Sequence, residues 1–198
     1  MRLLKIMIII AAFCTPFGHA VSHRQTVNEP AAPYNLRWEM SYDEARNMPL
    51  YSLEVSDINY AGRDINLITS TLSPQEVGEF KYQEMNLYFD KNKGLKSIYV
   101  NAIINDDKEA LALYNEEVKV LDREYGMAIT KEEFISDKKK FYKSLNDCIA
   151  QQQEWYNKGL DSSKITHCSK WQRSYKKGRV TVLLYIEPRQ VSKQYIYK

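Results

Sequence analysis

Apolar and polar positions repeat along this chain with two different periods, and the changes of period mark its elements. From Tyr51 the apolar residues alternate: Tyr51, Leu53 and Val55, then Ile65, Leu67 and Thr69 after an Ala61-Gly62-Arg63-Asp64 turn. Period two sends successive side chains to opposite faces of a strand, so this stretch predicts β structure. Ser73-Pro74-Gln75-Glu76 marks a loop. The clearest hairpin runs from Phe80 to Phe89 and from Leu95 to Ile104 around Asp90-Lys91-Asn92-Lys93-Gly94. Met85, Leu87 and Phe89 share a face with Ile98, Val100, Ala102 and Ile104, which predicts the core side of that hairpin.

Helical periods flank this β region. Ser41-Tyr42-Asp43-Glu44 has the S-x-x-E spacing of a capping box, and Pro49 stops the short helix that it opens. Asp106-Asp107-Lys108-Glu109 places acids where a helix N-terminus favours them. Leu111, Tyr114, Val118, Leu121 and Tyr125 follow at spacings of three and four, and Gly126 is a natural C-cap. A second helical stretch is expected over 131–156, with Phe134, Phe141, Leu145, Cys148 and Ile149 on its apolar side and Lys138-Lys139-Lys140 on a solvated one. β structure is expected again over 165–174, the stretch that contains Cys168 and Trp171. A turn is expected at Tyr175-Lys176-Lys177-Gly178, then a strand with Val180, Val182, Leu184 and Ile186 on one face, and last an edge segment from Val191 to Tyr197. Strands joined by short turns, with the helices grouped apart in sequence, predict an α+β fold: an antiparallel sheet with helices packed mainly on one face.

The first 20 residues belong to a different pattern. Arg2 and Lys5 precede an apolar run from Ile6 to Phe13, and Gly18 and Ala20 supply the small residues of a cleavage site. This is the pattern of a secretory signal peptide, with a run too short for a permanent membrane span. Lipidation at Cys14 is the competing reading, disfavoured by the bulky Phe13 before it. Residues 21–35, with Pro30 and Pro33 and no periodicity, read as a flexible linker, and 36–198 as a single domain. The expected location is the periplasm or the exterior, with no transmembrane segment after cleavage.

Export changes the meaning of the cysteines. Cys148 and Cys168 remain once the leader is removed, and two cysteines in an oxidising compartment predict one disulfide. A zinc site using His167 with them would lack ligands, so neither a metal nor a cofactor is expected. Charge is unevenly divided. Residues 21–130 hold 11 basic and 18 acidic side chains and residues 131–198 hold 15 and 7, a balance of −7 against +8. The two parts either attract each other within the domain or form a charged binding face. Nucleic acid is not an expected partner, since the basic residues follow no recognised motif.

Candidate chemistry is sparse. No nucleophile elbow, H-E-x-x-H, P-loop or Gly-rich dinucleotide turn is present, so an enzyme is not expected. Tyrosine stands out instead, at 15 of 198 residues. Opposite the core side of the hairpin lie Tyr82, Glu84 and Tyr88, with Tyr99 on the partner strand, and these four are the candidate binding residues. Aromatic-polar mixtures of this kind suit protein recognition, because a rigid ring offers contact area at low entropic cost. The alternative is that helices or terminal strands cover this face. The expected function is an exported, non-enzymatic module that binds another exported protein, such as an inhibitor or immunity protein against a toxin or hydrolase. Two alternatives stay open: an envelope factor that binds cell-wall glycan, lipid or an outer-membrane assembly machine, and a small periplasmic hydrolase.

Arg37-Trp38-Glu39-Met40-Ser41 with Glu44 resembles the opening of uncharacterised exported bacterial proteins that read R-W-G-M-S-x-x-E. Gly94-Leu95-Lys96-Ser97-Ile98-Tyr99-Val100 and Tyr125-Gly126 resemble two later segments of the same proteins. The resemblance implies an exported bacterial α+β domain, with Glu39 standing where those proteins have glycine. The order of elements is also similar to β-lactamase-inhibitor-like domains, which implies protein binding by analogy of fold alone.

Overall fold

The structure, a computed structural model, describes residues 29–48, 53–60, 63–71, 82–161, 165 and 168–198. The expected signal peptide, the first part of the expected linker, the Ser73–Glu76 loop and His167 lie outside these residues. Among the described residues, no helix is long and apolar enough to cross a membrane.

Among the described residues, three α-helices, one short 3-10 helix (Lys138–Lys140) and eight strands follow one another, the α-helices and strands being α1 (Tyr42–Arg46), β1 (Leu53–Tyr60), β2 (Arg63–Thr71), β3 (Glu84–Asp90), β4 (Gly94–Ile103), α2 (Asp107–Tyr125), β5 (Thr130–Phe134), α3 (Phe141–Asn157), β6 (Lys170–Lys177), β7 (Val180–Glu187) and β8 (Gln190–Tyr197). All eight strands join one antiparallel sheet in the order β1-β2-β3-β4-β8-β7-β6-β5. The protein is therefore α+β, as the order of periods predicts. The β3–β4 hairpin forms about Asp90, whose Oδ1 accepts from the amides of Asn92 and Lys93. Its register slips after Tyr88: Tyr88 faces Ser97 but Phe89 faces Leu95, so Lys96 is the extra residue of a bulge. That bulge lets Leu95 and Ile98, three residues apart, both reach the core.

Two segments, α2 and residues 29–48, cover one face of the sheet. α2 is opened by the Asp106 carboxylate, which accepts from the amides of Lys108 and Glu109, and closed by Gly126 at φ 83°. Its stripe of Ala110, Tyr114, Val118 and Leu121 is buried against β6, β7 and β8. Residues 29–48 close over the β3–β4–β8 side. Trp38 stacks on Tyr197 at 5.1 Å, Tyr42 meets Phe89 edge-on at 5.7 Å, and Leu95 exchanges backbone hydrogen bonds with Glu39 and Met40. The capping box forms as the spacing predicts, with Ser41 and Glu44 satisfying each other's backbone amides. The expected linker therefore ends early: Ala32 is buried, Pro30 accepts from the Trp38 indole, and Glu29 pairs with Arg179 at 2.8 Å.

Three expectations need correction. The long second helix starts at Phe141, because residues 130–134 instead form β5 at the sheet edge. Pairing decides this: Glu133 meets Arg173 at 2.5 Å and Thr130 shares a hydroxyl hydrogen bond with Ser174, which outweighs the fair helix propensity of Lys131-Glu132-Glu133. The turn after β6 is confined to Gly178 and Arg179, so Tyr175, Lys176 and Lys177 belong to β6 and Tyr175 is fully buried within it. The final strand is no edge. β8 lies between β4 and β7 in the middle of the sheet. The expected disulfide is present, joining Cys148 of α3 to Cys168 before β6 with Cα atoms 5.2 Å apart.

Candidate functional site

Cross-strand partners share a face, so the register assigns the residues of β3, β4, β7 and β8 to one side or the other. Ile98, Val100, Val182, Leu184, Val191 and Tyr195 face α2 and are buried. The opposite, outward face carries Glu84, Asn86 and Tyr88 on β3, Ser97, Tyr99 and Asn101 on β4, Ser192 and Gln194 on β8, and Leu183 and Tyr185 on β7. Most of these side chains are half-buried.

Hydroxyl and amide contacts tie this face together across four strands. Tyr99 Oη and Ser192 Oγ lie 3.1 Å apart. Gln194 donates to Ser97 Oγ at 3.1 Å, and Asn101 donates to Glu84 Oε2 at 3.1 Å. Farther out, Thr69 donates to Asn86 Oδ1 at 2.6 Å. Burial raises the Tyr88 hydroxyl above its ordinary value, and the nearby Tyr99 adds to it. Burial does the same to Tyr185, and Tyr99 again adds to it. Tyr88 and Tyr185 thus flank Tyr99 in one array, and burial keeps both of these outer hydroxyls protonated at neutral pH. Held in this way, the rings give a rigid surface with hydroxyls available both to donate and to accept.

Three of the four candidate residues, Glu84, Tyr88 and Tyr99, lie on this face. Tyr82 does not. It is 1 % exposed under α2, and its hydroxyl donates to Glu117 Oε1 at 2.6 Å. Strand alternation fails there because β3 begins only at Glu84. Tyr82 and Gln83 precede that strand, and the Gln83 side chain accepts from the Ile103 amide at 2.7 Å. Tyr185 is the member that the sequence reading missed. Its signal was available, since a strand that buries Val180, Val182, Leu184 and Ile186 must turn Leu183 and Tyr185 outward.

The inward side holds polar groups of its own. Glu117 and Lys193 are buried and meet at 2.7 Å, with Tyr82 as third partner and Tyr34 and Tyr195 close enough to sense the pair. Near the β5 edge, burial acts to raise the Glu133 carboxyl. Hydrogen bonds from Arg173, Lys131 and Tyr114 outweigh it and hold the group below its ordinary range. These groups bind each other within the fold. Among the described residues, no three His, Cys, Asp or Glu side chains come together as a metal site. Comparison with family models, curated proteins and solved structures finds no match to this chain.

Proposed function

We propose that this chain is an exported, non-enzymatic protein-binding module that docks another exported protein on its outward sheet face, as an inhibitor or immunity protein does against a toxin or hydrolase. The carrying observation is the half-buried array of Tyr88, Tyr99 and Tyr185, set mostly among neutral Ser, Asn and Gln side chains beside Glu84 and spread over three strands. A core needs no such mixture, and a merely solvated face is usually richer in charge. Tyrosine and amide side chains displace water over a wide area without giving up the hydration of full charges.

The leader-like N-terminus and the Cys148–Cys168 disulfide support the exported setting. The absence of recognised catalytic motifs from the sequence supports the non-enzymatic part. Docking is tested by capture of the native partner with the oxidised protein and with Tyr99→Ala, using Tyr156→Ala on the far end of α3 as control. Loss of one stoichiometric partner with Tyr99→Ala alone is the expected result. Equal capture by all three proteins would remove the face from the reading. Recovery of wall fragments or lipid in place of a protein would shift it to an envelope factor.

A further inference from the structure

We propose that the cleft between α3 and the outward face is the anchor socket of this docking surface, and that it takes one uncharged aromatic side chain from the partner. The inference rests on the protein-binding reading given above. The cleft has a volume of about 340 Å³, with Leu145, Ile149 and Gln152 of α3 on one wall and Leu183, Tyr185 and Gln194 of the sheet on the other. That volume is at the small end of ligand sites, roughly 300 to 1,000 Å³, and suits a single large side chain better than a whole cofactor.

Charge decides the class of occupant. Two charged residues border the cleft, and both are engaged: Lys170 pairs with Glu132 at 3.0 Å, and Glu187 accepts from Gln190. Lys170 offers an anionic guest no free counter-charge, and a cationic guest would give up its hydration among the apolar walls for the single Glu187 carboxylate. A neutral ring instead meets Leu145, Ile149 and Leu183. Gln152 and Gln194 each donate through the amide nitrogen, to Cys168 Sγ and Ser97 Oγ, and their carbonyl oxygens can accept from an indole N–H or a phenol O–H.

Two further features fit an anchor site. Tyr185 belongs both to the cleft and to the tyrosine array, so the socket and the docking face are continuous. Cys148 also lines the cleft, and its bond to Cys168 fixes the α3 wall to the start of β6. A wall held covalently loses little freedom when the guest enters, which is how preorganisation raises affinity. Interface energy concentrates where an aromatic residue fills such a pocket beside a ring of weaker contacts.

The test is a titration of the oxidised, 15N-labelled protein with N-acetyl-tryptophanamide, with N-acetyl-lysinamide as the charged control. Saturable shifts of the Gln152 and Gln194 side-chain amides and the Trp171 indole are expected with the first probe only. Leu183→Trp, which fills the cleft, should weaken that response at least tenfold. Ile149→Lys should do the same from a position exposed enough to tolerate it, should the first variant fold poorly. No saturable shift, an equal response to the lysine probe, or a response unchanged in both variants would overturn the socket. Partner capture separates this failure from the wider one. Capture that needs Tyr99 but ignores Leu183→Trp and Ile149→Lys rejects the socket and keeps the face, whereas capture that ignores Tyr99 rejects both.

Discussion

Glu117 Oε2 lies 2.7 Å from Lys193 Nζ at the centre of the interface between α2 and β8, with side-chain exposures of 0 % and 5 %. Each residue sits in register with an apolar set: Glu117 with Tyr114, Val118 and Leu121 on the helix, Lys193 with Val191, Tyr195 and Tyr197 on the strand. Tyr82 donates to the carboxylate, and the Lys193 ammonium lies 5.2 Å from the Tyr82 ring centre and 5.5 Å from that of Tyr195. The pair is fully desolvated, so its members stabilise the fold only together.

Removing one partner strands the other charge. Glu117→Ala and Lys193→Ala are each expected to cost about 3 to 5 kcal/mol, whereas Glu117→Leu with Lys193→Met should lie close to the native protein. Urea midpoints of the three variants measure this. Additive losses in the double variant would contradict the coupling.

Tyr82 and Tyr99 are expected to separate stability from binding. Tyr82→Phe removes a donor to a buried carboxylate and should cost about 1.5 to 3 kcal/mol with partner binding unchanged. Tyr99→Ala should weaken binding with a smaller loss of stability. Thermal melting and partner affinity, measured on both, would show the exchange of roles if the faces were assigned wrongly.

Backbone conformation makes opposite predictions at two neighbouring sites. Glu39 holds φ 62°, the left-handed region that favours the glycine its resemblance implies, and its carboxylate pairs with Lys96 at 3.0 Å. Glu39→Gly exchanges that partly exposed pair for relief of strain, so its melting temperature should not fall. A Cβ at Gly94 would sit 2.4 Å from Glu39 O and 2.5 Å from Met40 O. Gly94→Ala should therefore cost at least about 2 kcal/mol, as its own φ of 70° also requires.

Acid sensitivity should trace in part to Glu133. Its carboxyl is held below the ordinary range when folded, so it binds protons more readily in the unfolded chain. The stability it contributes is complete above the ordinary carboxyl value and is lost as pH falls through the lower, folded one. Melting followed from pH 7 downward should show a shallower acid decline in Glu133→Gln. Identical slopes would assign the acid limb to other groups.

Loss of the disulfide should act on α3 first. Cys148→Ser with Cys168→Ser releases a closed loop with a sequence separation of 20 and should cost about 3 kcal/mol. Hydrogen exchange should quicken in α3 while β4, β7 and β8 keep their protection.

Legibility followed the strength of local signals. The β3–β4 hairpin, α2 and its caps, and the cysteine pair were readable because period, turn residues and capping chemistry agree at those places. The central position of β8 was not, since which strand lies beside β4 depends on long-range pairing of Ile98 with Tyr195 and Val100 with Lys193. β5 was hidden because Lys131, Glu132 and Glu133 suit a helix until Arg173 and Ser174 are placed beside them. Glu117 and Lys193 were passed over as charges, although each occupies a core position of its element. Of the binding face, Glu84, Tyr88 and Tyr99 were legible from alternation, while Tyr82 precedes β3 and lies outside its alternation.

The most direct measurement is partner capture from the native envelope with the oxidised protein and its Tyr88→Ala/Tyr99→Ala variant, followed by mass spectrometry and a melting curve of each. One stoichiometric exported protein, held by the native chain and lost from a variant that still melts cooperatively, is the predicted result. Retention of that partner by the folded variant would contradict docking on the outward face.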